Sequence, residues 1–201
     1  GYSPASVIPN MDGPIDGWGT QKGYPSGGLS SRYGPVTMRR GLMSSLNVMA
    51  ARMLMQLVTP KLAANYLYNL NCSEDEINVD GPGLALGTSG ITPIQMAAAY
   101  GCIGNSGMYL EPLSFTKVLD ESGAVILDAD IVRDQHRVYQ ESTAYLLVDM
   151  LEDAVKSGTG TKAKIEDMTV AGKTGTNSDY ASVYFAGMTP YYASAVWIGH
   201  D

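Results

Sequence analysis

The apolar residues change their period once along this 201-residue chain, near Met108, and no other sequence feature constrains its fold as much. Before that point they recur at helical spacing; after it they fall into short runs bounded by turn residues. In the first half, residues 48–58 place Met49, Met53, Leu57 and Val58 on one helical face. Thr59-Pro60 and Thr92-Pro93 are helix starts, each a capping hydroxyl followed by proline at the first helical position, where proline's missing N–H leaves nothing unsatisfied. The first leads into Leu62, Tyr66, Leu67 and Leu70, and the second into residues 94–103, which Gly104, Asn105 and Gly107 stop. Thr37 can cap a turn through Leu42, and Ser73 with Glu76 has the capping-box pattern for another short turn.

In the second half, residues 113–119 and 124–127 flank Asp120-Glu121-Ser122-Gly123 as a hairpin, and residues 142–155 form one amphipathic helix. Three strands close the chain, at 169–176, 183–188 and 193–199. Their connections are too short for parallel crossovers, which take a dozen residues or more, so the sheet is antiparallel. Helices gathered in one half and strands in the other give an α+β fold, an antiparallel sheet with a helical subdomain. The expected division is an irregular segment at 1–35, a mainly helical part at 36–107 and a sheet part at 108–201. Prolines and glycines such as Pro4, Pro9, Gly13, Pro14, Gly27 and Gly28 interrupt every period in the first segment. An irregular stretch of that length suits a domain that begins further upstream.

A net charge of −7, with only Arg39-Arg40 adjacent among the cations, excludes nucleic acid as a partner, because backbone phosphates are bound by clustered Lys and Arg. No run approaches the roughly 18 apolar residues of a membrane span, so the chain as given is expected to be soluble. Cys72 and Cys102 read as packed thiols. His136 and His200 lack metal-ligand spacing, and Asp128 with Asp130 reads as a solvated strand end, so neither a metal nor a cofactor is expected. Gly172-Lys173-Thr174 ends like a phosphate loop, but position 167, where that motif needs glycine, is Asp. Tyr184, Tyr191 and Tyr192 read as half-buried sheet residues, and Tyr180 as a residue at the lip of a cleft.

Two tripeptides carry chemistry. On the strand containing Lys173-Thr174-Gly175-Thr176, the two hydroxyls share a face and Gly175 has no side chain to hold a ligand backbone away. A peptide can add along that edge and have its terminal carboxylate held by hydroxyls and an ammonium. Ser45 and Asn47, in Ser45-Leu46-Asn47, would point about 200° apart on a regular helix. They can serve one cleft only if the chain turns there, and then a hydroxyl and an amide could relay a proton and hold a substrate amide.

An S-x-N followed much later by K-T-G on a strand is two-thirds of the motif set of serine acyl-transferases that includes penicillin-binding proteins and class A β-lactamases. The chain resembles the class A, bifunctional penicillin-binding proteins over nearly its whole length. The likeness rests on YGPVTMRRGLMSSLNVMAARML, LALGTSGITPIQMAAAYGCIGNSGMYLEP, SGTGTKAK, VAGKTGT and YFAGMTPYYASAVWIGHD, in that order. It implies a transpeptidase domain that cross-links peptidoglycan stem peptides ending in D-Ala-D-Ala and is acylated by β-lactams. Ser45 and Asn47 would be the second motif and Lys173, Thr174 and Gly175 the third. Thr176 would help bind carboxylate and oxyanion. Leu46 stands where β-lactamases have Asp, which disfavours hydrolysis.

In that family the nucleophilic serine belongs to an S-x-x-K motif at a helix start, upstream of the region matched here. The S-x-x-K in this sequence, Ser114 to Lys117, reads as a hairpin strand on which the two side chains point apart. The resemblance therefore implies that the nucleophile, a glycosyltransferase domain and a membrane anchor lie upstream, at the outer face of the cytoplasmic membrane. This piece alone would then be inactive. The alternatives are a non-catalytic peptidoglycan-binding scaffold and a D,D-carboxypeptidase.

Overall fold

The computed structural model describes residues 1–25, 34–177 and 182–200. It opens on an antiparallel pair, β1 (Val7–Asn10) and β2 (Gly34–Thr37). Pro9 and Pro35 are in register with each other there. Proline lacks a ladder donor, yet it is tolerated in a two-stranded ribbon, where every strand is an edge. The expectation of an irregular stretch over 1–35 is corrected at β1, where Ile8 turns inward and is buried. Gly27 and Gly28 lie outside the described residues.

α1 (Met38–Met43) starts at Thr37, whose Oγ1 accepts from the Arg40 N–H at 3.2 Å. α2 (Asn47–Arg52) runs into a π-helical segment, Met53–Val58, so the single helix read over 48–58 has two geometries. α3 (Pro60–Tyr68) and α5 (Pro93–Gly104) begin at the two Thr-Pro steps as expected. At Thr92 the cap is reciprocal: Thr92 Oγ1 accepts from Gln95 N–H at 3.3 Å and Gln95 Oε1 accepts from Thr92 N–H at 2.9 Å. Ser73 N–H likewise donates to Glu76 Oε2 at 2.9 Å, but only a turn follows. α4 (Gly81–Leu86) was not legible behind its glycines; Asp80 caps it by accepting from the Gly83 N–H, and Pro82 presets its first turn.

β3 (Met108–Leu110) pairs with β6 (Gln135–Arg137) across the hairpin β4 (Lys117–Leu119) and β5 (Val125–Asp128) and the single turn α6 (Ala129–Val132). α7 (Glu141–Ser157) is the long amphipathic helix. β7 (Ala171–Thr176), β8 (Ser182–Met188) and β9 (Ala193–Gly199) form one antiparallel sheet in that order. The α+β architecture expected from the change of period is the observed one.

The inner face of this sheet carries the core nearest the site: Ala171 and Met188 pack with Ile103 of α5 and Leu151 of α7. Alternation puts Lys173 and Gly175 on the same face as Ala171, and Thr174 and Thr176 on the outer face. Phe185 lies over two glycines on the outer face: a Cβ at Gly172 would come within 2.6 Å of its ring and 2.9 Å of Ala186 O. Arg39 joins α1 to α7 through a fork to Asp149 and Asp153, the second contact at 2.6 Å.

Candidate active site

Ser45 sits at the elbow between α1 and α2 with φ 53°, a left-handed conformation usually left to glycine. The elbow is a Schellman turn. Ser45 N–H donates to Leu42 O at 3.1 Å and Leu46 N–H to Gly41 O at 3.0 Å, which closes α1 and throws the Ser45 side chain outward. Leu46 anchors the turn from below, buried with Met49 and Ile8. α1 and α2 meet closely because residue 41 is glycine: a Cβ there would fall 2.0 Å from Met49 Sδ. Asn47 then opens α2, and the turn required for Ser45 and Asn47 to serve one cleft is present.

Lys173 reaches this elbow from β7. Its Nζ donates to Ser45 Oγ at 2.9 Å and to Thr174 O at 2.8 Å. Burial pushes the Lys173 amine below its ordinary value, so it releases its proton more readily than an exposed lysine. Asn47, Gly175 and Thr176 line one groove of about 780 Å³, together with Tyr184 and Trp197. Thr174 points to the other side of β7, where its hydroxyl donates to Thr159 Oγ1 at 2.7 Å. Among the described residues no strand pairs with β7 on the side away from β8, so the K-T-G-T edge is open. Ser45, Asn47, Lys173, Gly175 and Thr176 thus gather at one place; Thr174 and Thr176 both point to the face of β7 opposite Lys173, but Thr176, at the end of the strand, still lines the groove while Thr174 is turned away to Thr159. Thr159 lies inside the SGTGTKAK block but was given no role there, because that block marked only the resemblance and gave no sign of a contact with Thr174.

Other expectations resolve as follows. Ser114 is not on a strand but precedes β4, while Lys117 begins it and pairs with Asp128 at 3.0 Å. His136 has a partner acid: its Nδ1 lies 3.1 Å from Asp134 and its Nε2 2.8 Å from Asn69 O, and those contacts raise its proton affinity. Cys72 and Cys102 are free, buried thiols, and burial pushes Cys102 up to about 11. Tyr184 is half-buried on β8, but Tyr191 and Tyr192 stand exposed in the β8–β9 turn rather than in the sheet. Tyr180 lies outside the described residues.

The fold is that of the penicillin-binding transpeptidases. Penicillin-binding protein 1A from Haemophilus influenzae superposes with a TM-score of 0.84 at 23% identity, covering all of this chain and 35% of that one. PonA1 from Mycobacterium tuberculosis gives 0.82 at 23% identity, covering 99% of this chain and 55% of that one. The family model for the penicillin-binding protein transpeptidase domain matches residues 2–199, and the chain belongs to that family. Penicillin-binding protein 1A of Clostridium botulinum (strain Langeland) is 39% identical over 173 residues, covering 84% of this chain and 21% of that protein. That of Aquifex aeolicus is 34% identical over 173 residues, covering 84% and 22%. The chain spans about a fifth of the length of these curated relatives.

Proposed function

We propose that this chain forms two walls of a D,D-transpeptidase site that cross-links peptidoglycan stem peptides and is acylated by β-lactams. The observation that carries the reading is the Lys173 Nζ to Ser45 Oγ contact of 2.9 Å beside an open strand edge. A stem peptide lies along β7 as an added strand, its terminal carboxylate at Thr174 and Thr176 and its positive counterpart at Lys173. The nucleophile is a serine of an S-x-x-K segment outside these 201 residues, in the same protein as a glycosyltransferase domain and a membrane anchor. The enzyme acts at the outer face of the cytoplasmic membrane.

That serine's oxygen attacks the carbonyl carbon of the penultimate D-alanine, with the Thr176 N–H as one donor to the oxyanion. The C–N bond breaks, and the proton lost by the nucleophile reaches the leaving amine through Ser45, giving an acyl-enzyme ester and free D-alanine. Lys173, with its lowered proton affinity, keeps the Ser45 hydroxyl oriented for that relay. An amine of a second stem peptide then attacks the ester. Its surplus proton returns to the serine oxygen as the new amide forms. The buried Leu46 supports aminolysis over β-lactamase-like hydrolysis, since it puts no carboxylate at the elbow. A neighbour in structure, PonA1, is known in complex with penicillin V.

Labelling of the full-length protein with a fluorescent penicillin tests the reading. Lys173→Ala and Ser45→Ala should each slow labelling by about a hundredfold or more. Labelling at the wild-type rate in both variants would reject the proposed roles, and no labelling of the wild-type protein would leave a scaffold. Release of D-alanine without cross-linked product would make it a carboxypeptidase.

A further inference from the structure

Away from the Ser45–Lys173 cleft, one histidine ties the helical half of the chain to the strand half. His136, on β6, lies between two acceptors: its Nε2 is 2.8 Å from Asn69 O, at the end of α3, and its Nδ1 is 3.1 Å from Asp134 Oδ1. The buried Tyr109, directly across the β3–β6 pair, packs against the imidazole with ring centroids 5.3 Å apart. Asp134 is held in turn. Its Oδ2 accepts from Asn71 Nδ2 at 3.4 Å, and its N–H donates to Glu111 Oε2 at 3.1 Å.

A backbone carbonyl and a carboxylate can only accept. Neutral imidazole has a single N–H, so in either tautomer the other nitrogen sets its lone pair against an oxygen lone pair; the imidazolium alone satisfies both contacts. The surrounding charge favours the same state. Asn69 O is one of the last carbonyls of α3, at the negative end of the helix dipole. Asp134 and Glu111 add carboxylates, while Arg133 is turned to Asp130 at 3.5 Å and Arg137 to Ser106 O and Tyr139 O. On α3 itself, Lys61 stands at the opposite end and Tyr66 is stacked on Tyr139. Burial pushes Tyr109 and Cys72 up, so neither brings a charge at neutral pH.

We infer that His136 is a pH-dependent clasp: as an imidazolium it fastens the end of α3 to the start of β6, and on losing its proton it loosens that junction. Bonding to Asn69 O and Asp134 raises the folded ring above the ordinary value of about 6.5. The clasp is therefore whole below that pH and is lost as the pH rises through the folded value.

Histidine C2–H exchange in the full-length protein, followed by mass spectrometry on the peptide that carries His136, reads the titration of this ring. Its midpoint should lie above about 6.5 and fall toward it in Asp134→Asn. Amide exchange over residues 69–72, whose N–H groups are all bonded to carbonyls of α3, reads the junction. Corrected for the intrinsic effect of pH, it should quicken by about three- to thirtyfold from about pH 6 to about pH 9 in the wild type. In His136→Gln, whose amide donates without titrating, it should stay flat; His136→Asn carries the comparison if glutamine is not accommodated. A wild-type midpoint at or below about 6.5, or one that Asp134→Asn leaves unmoved, would overturn the imidazolium and the clasp with it. An equal response of residues 69–72 to pH in the wild type and in His136→Gln would leave His136 a static contact and reject the clasp.

Discussion

Lys173 stands on a strand whose place is fixed by backbone pairing, from Ala171 opposite Met188 to Thr176 opposite Val183, whereas Ser45 stands on an elbow with no ladder at all. The elbow is held by a few separate contacts on a strained backbone: the two hydrogen bonds of its Schellman turn, the Arg39 fork to α7, the close approach of Gly41 to Met49, the Met43 carbonyl taken by the Thr159 N–H, and a serine at φ 53°. A ladder resists point changes because each residue is one of several in register. An elbow concentrates its geometry in a few contacts. The serine wall is therefore where distant substitutions reach the chemistry, and the strand wall is where local ones do.

The largest effect that can break this comparison comes from Ser45→Gly. It removes the hydroxyl while relieving the left-handed strain, so acylation should fall about a hundredfold as stability rises by about 0.5–1 kcal/mol. Penicillin labelling and thermal unfolding of the same variant check both halves, and a loss of stability would contradict the strain. Next come two glycines on β7. Gly172→Ala meets Phe185, Ala186 O and the Gly187 backbone at 2.6–3.1 Å and should cost about 1–3 kcal/mol. Gly175→Ala meets only Tyr184 Cβ at 3.4 Å, so stability should stay within about 0.5 kcal/mol while acylation slows, because the new methyl stands where a ligand lies. Denaturation midpoints and labelling rates for the pair would sharpen the division between a framework glycine and a ligand-edge glycine. The smallest effect is Arg39→Ala. The fork to Asp149 and Asp153 is about a third exposed, so its loss should cost about 1 kcal/mol, less at high salt. It should also slow acylation a few-fold by loosening α1, and an unchanged rate would remove the fork from the elbow's supports.

Elements with a strong period or a Thr-Pro start were legible in the sequence: α5 behind Thr92-Pro93, α7, and the closing antiparallel sheet, whereas the capping-box pattern at Ser73 and Glu76 marked only a turn. β1 was hidden because proline was read as a breaker, although a two-stranded ribbon has room for it. α4 was hidden because its glycines outweighed an Asp cap that only tertiary contacts make decisive. The candidate site was legible as residue types, since Lys173 to Thr176 announce an edge strand by alternation. Its decisive local feature was not, because a serine in a position that favours glycine gives no signal until the turn's hydrogen bonds are seen. Thr159 was beyond reach for a related reason: its partners, Met43 and Thr174, are far from it in sequence and follow no period with it.

The unpaired margin of β7 has a cost outside catalysis. Proteins ordinarily blunt such margins with proline, a bulge or an added lysine, any of which would shut out a peptide. Among the described residues the margin at 173–176 carries no proline and no bulge, and its one lysine, Lys173, is turned inward to Ser45, so the same row of donors and acceptors is open to a strand from a neighbouring molecule. Under the proposed transpeptidase function a bound peptide or β-lactam would act as a stopper, and concentrated preparations should then keep longest with the edge occupied.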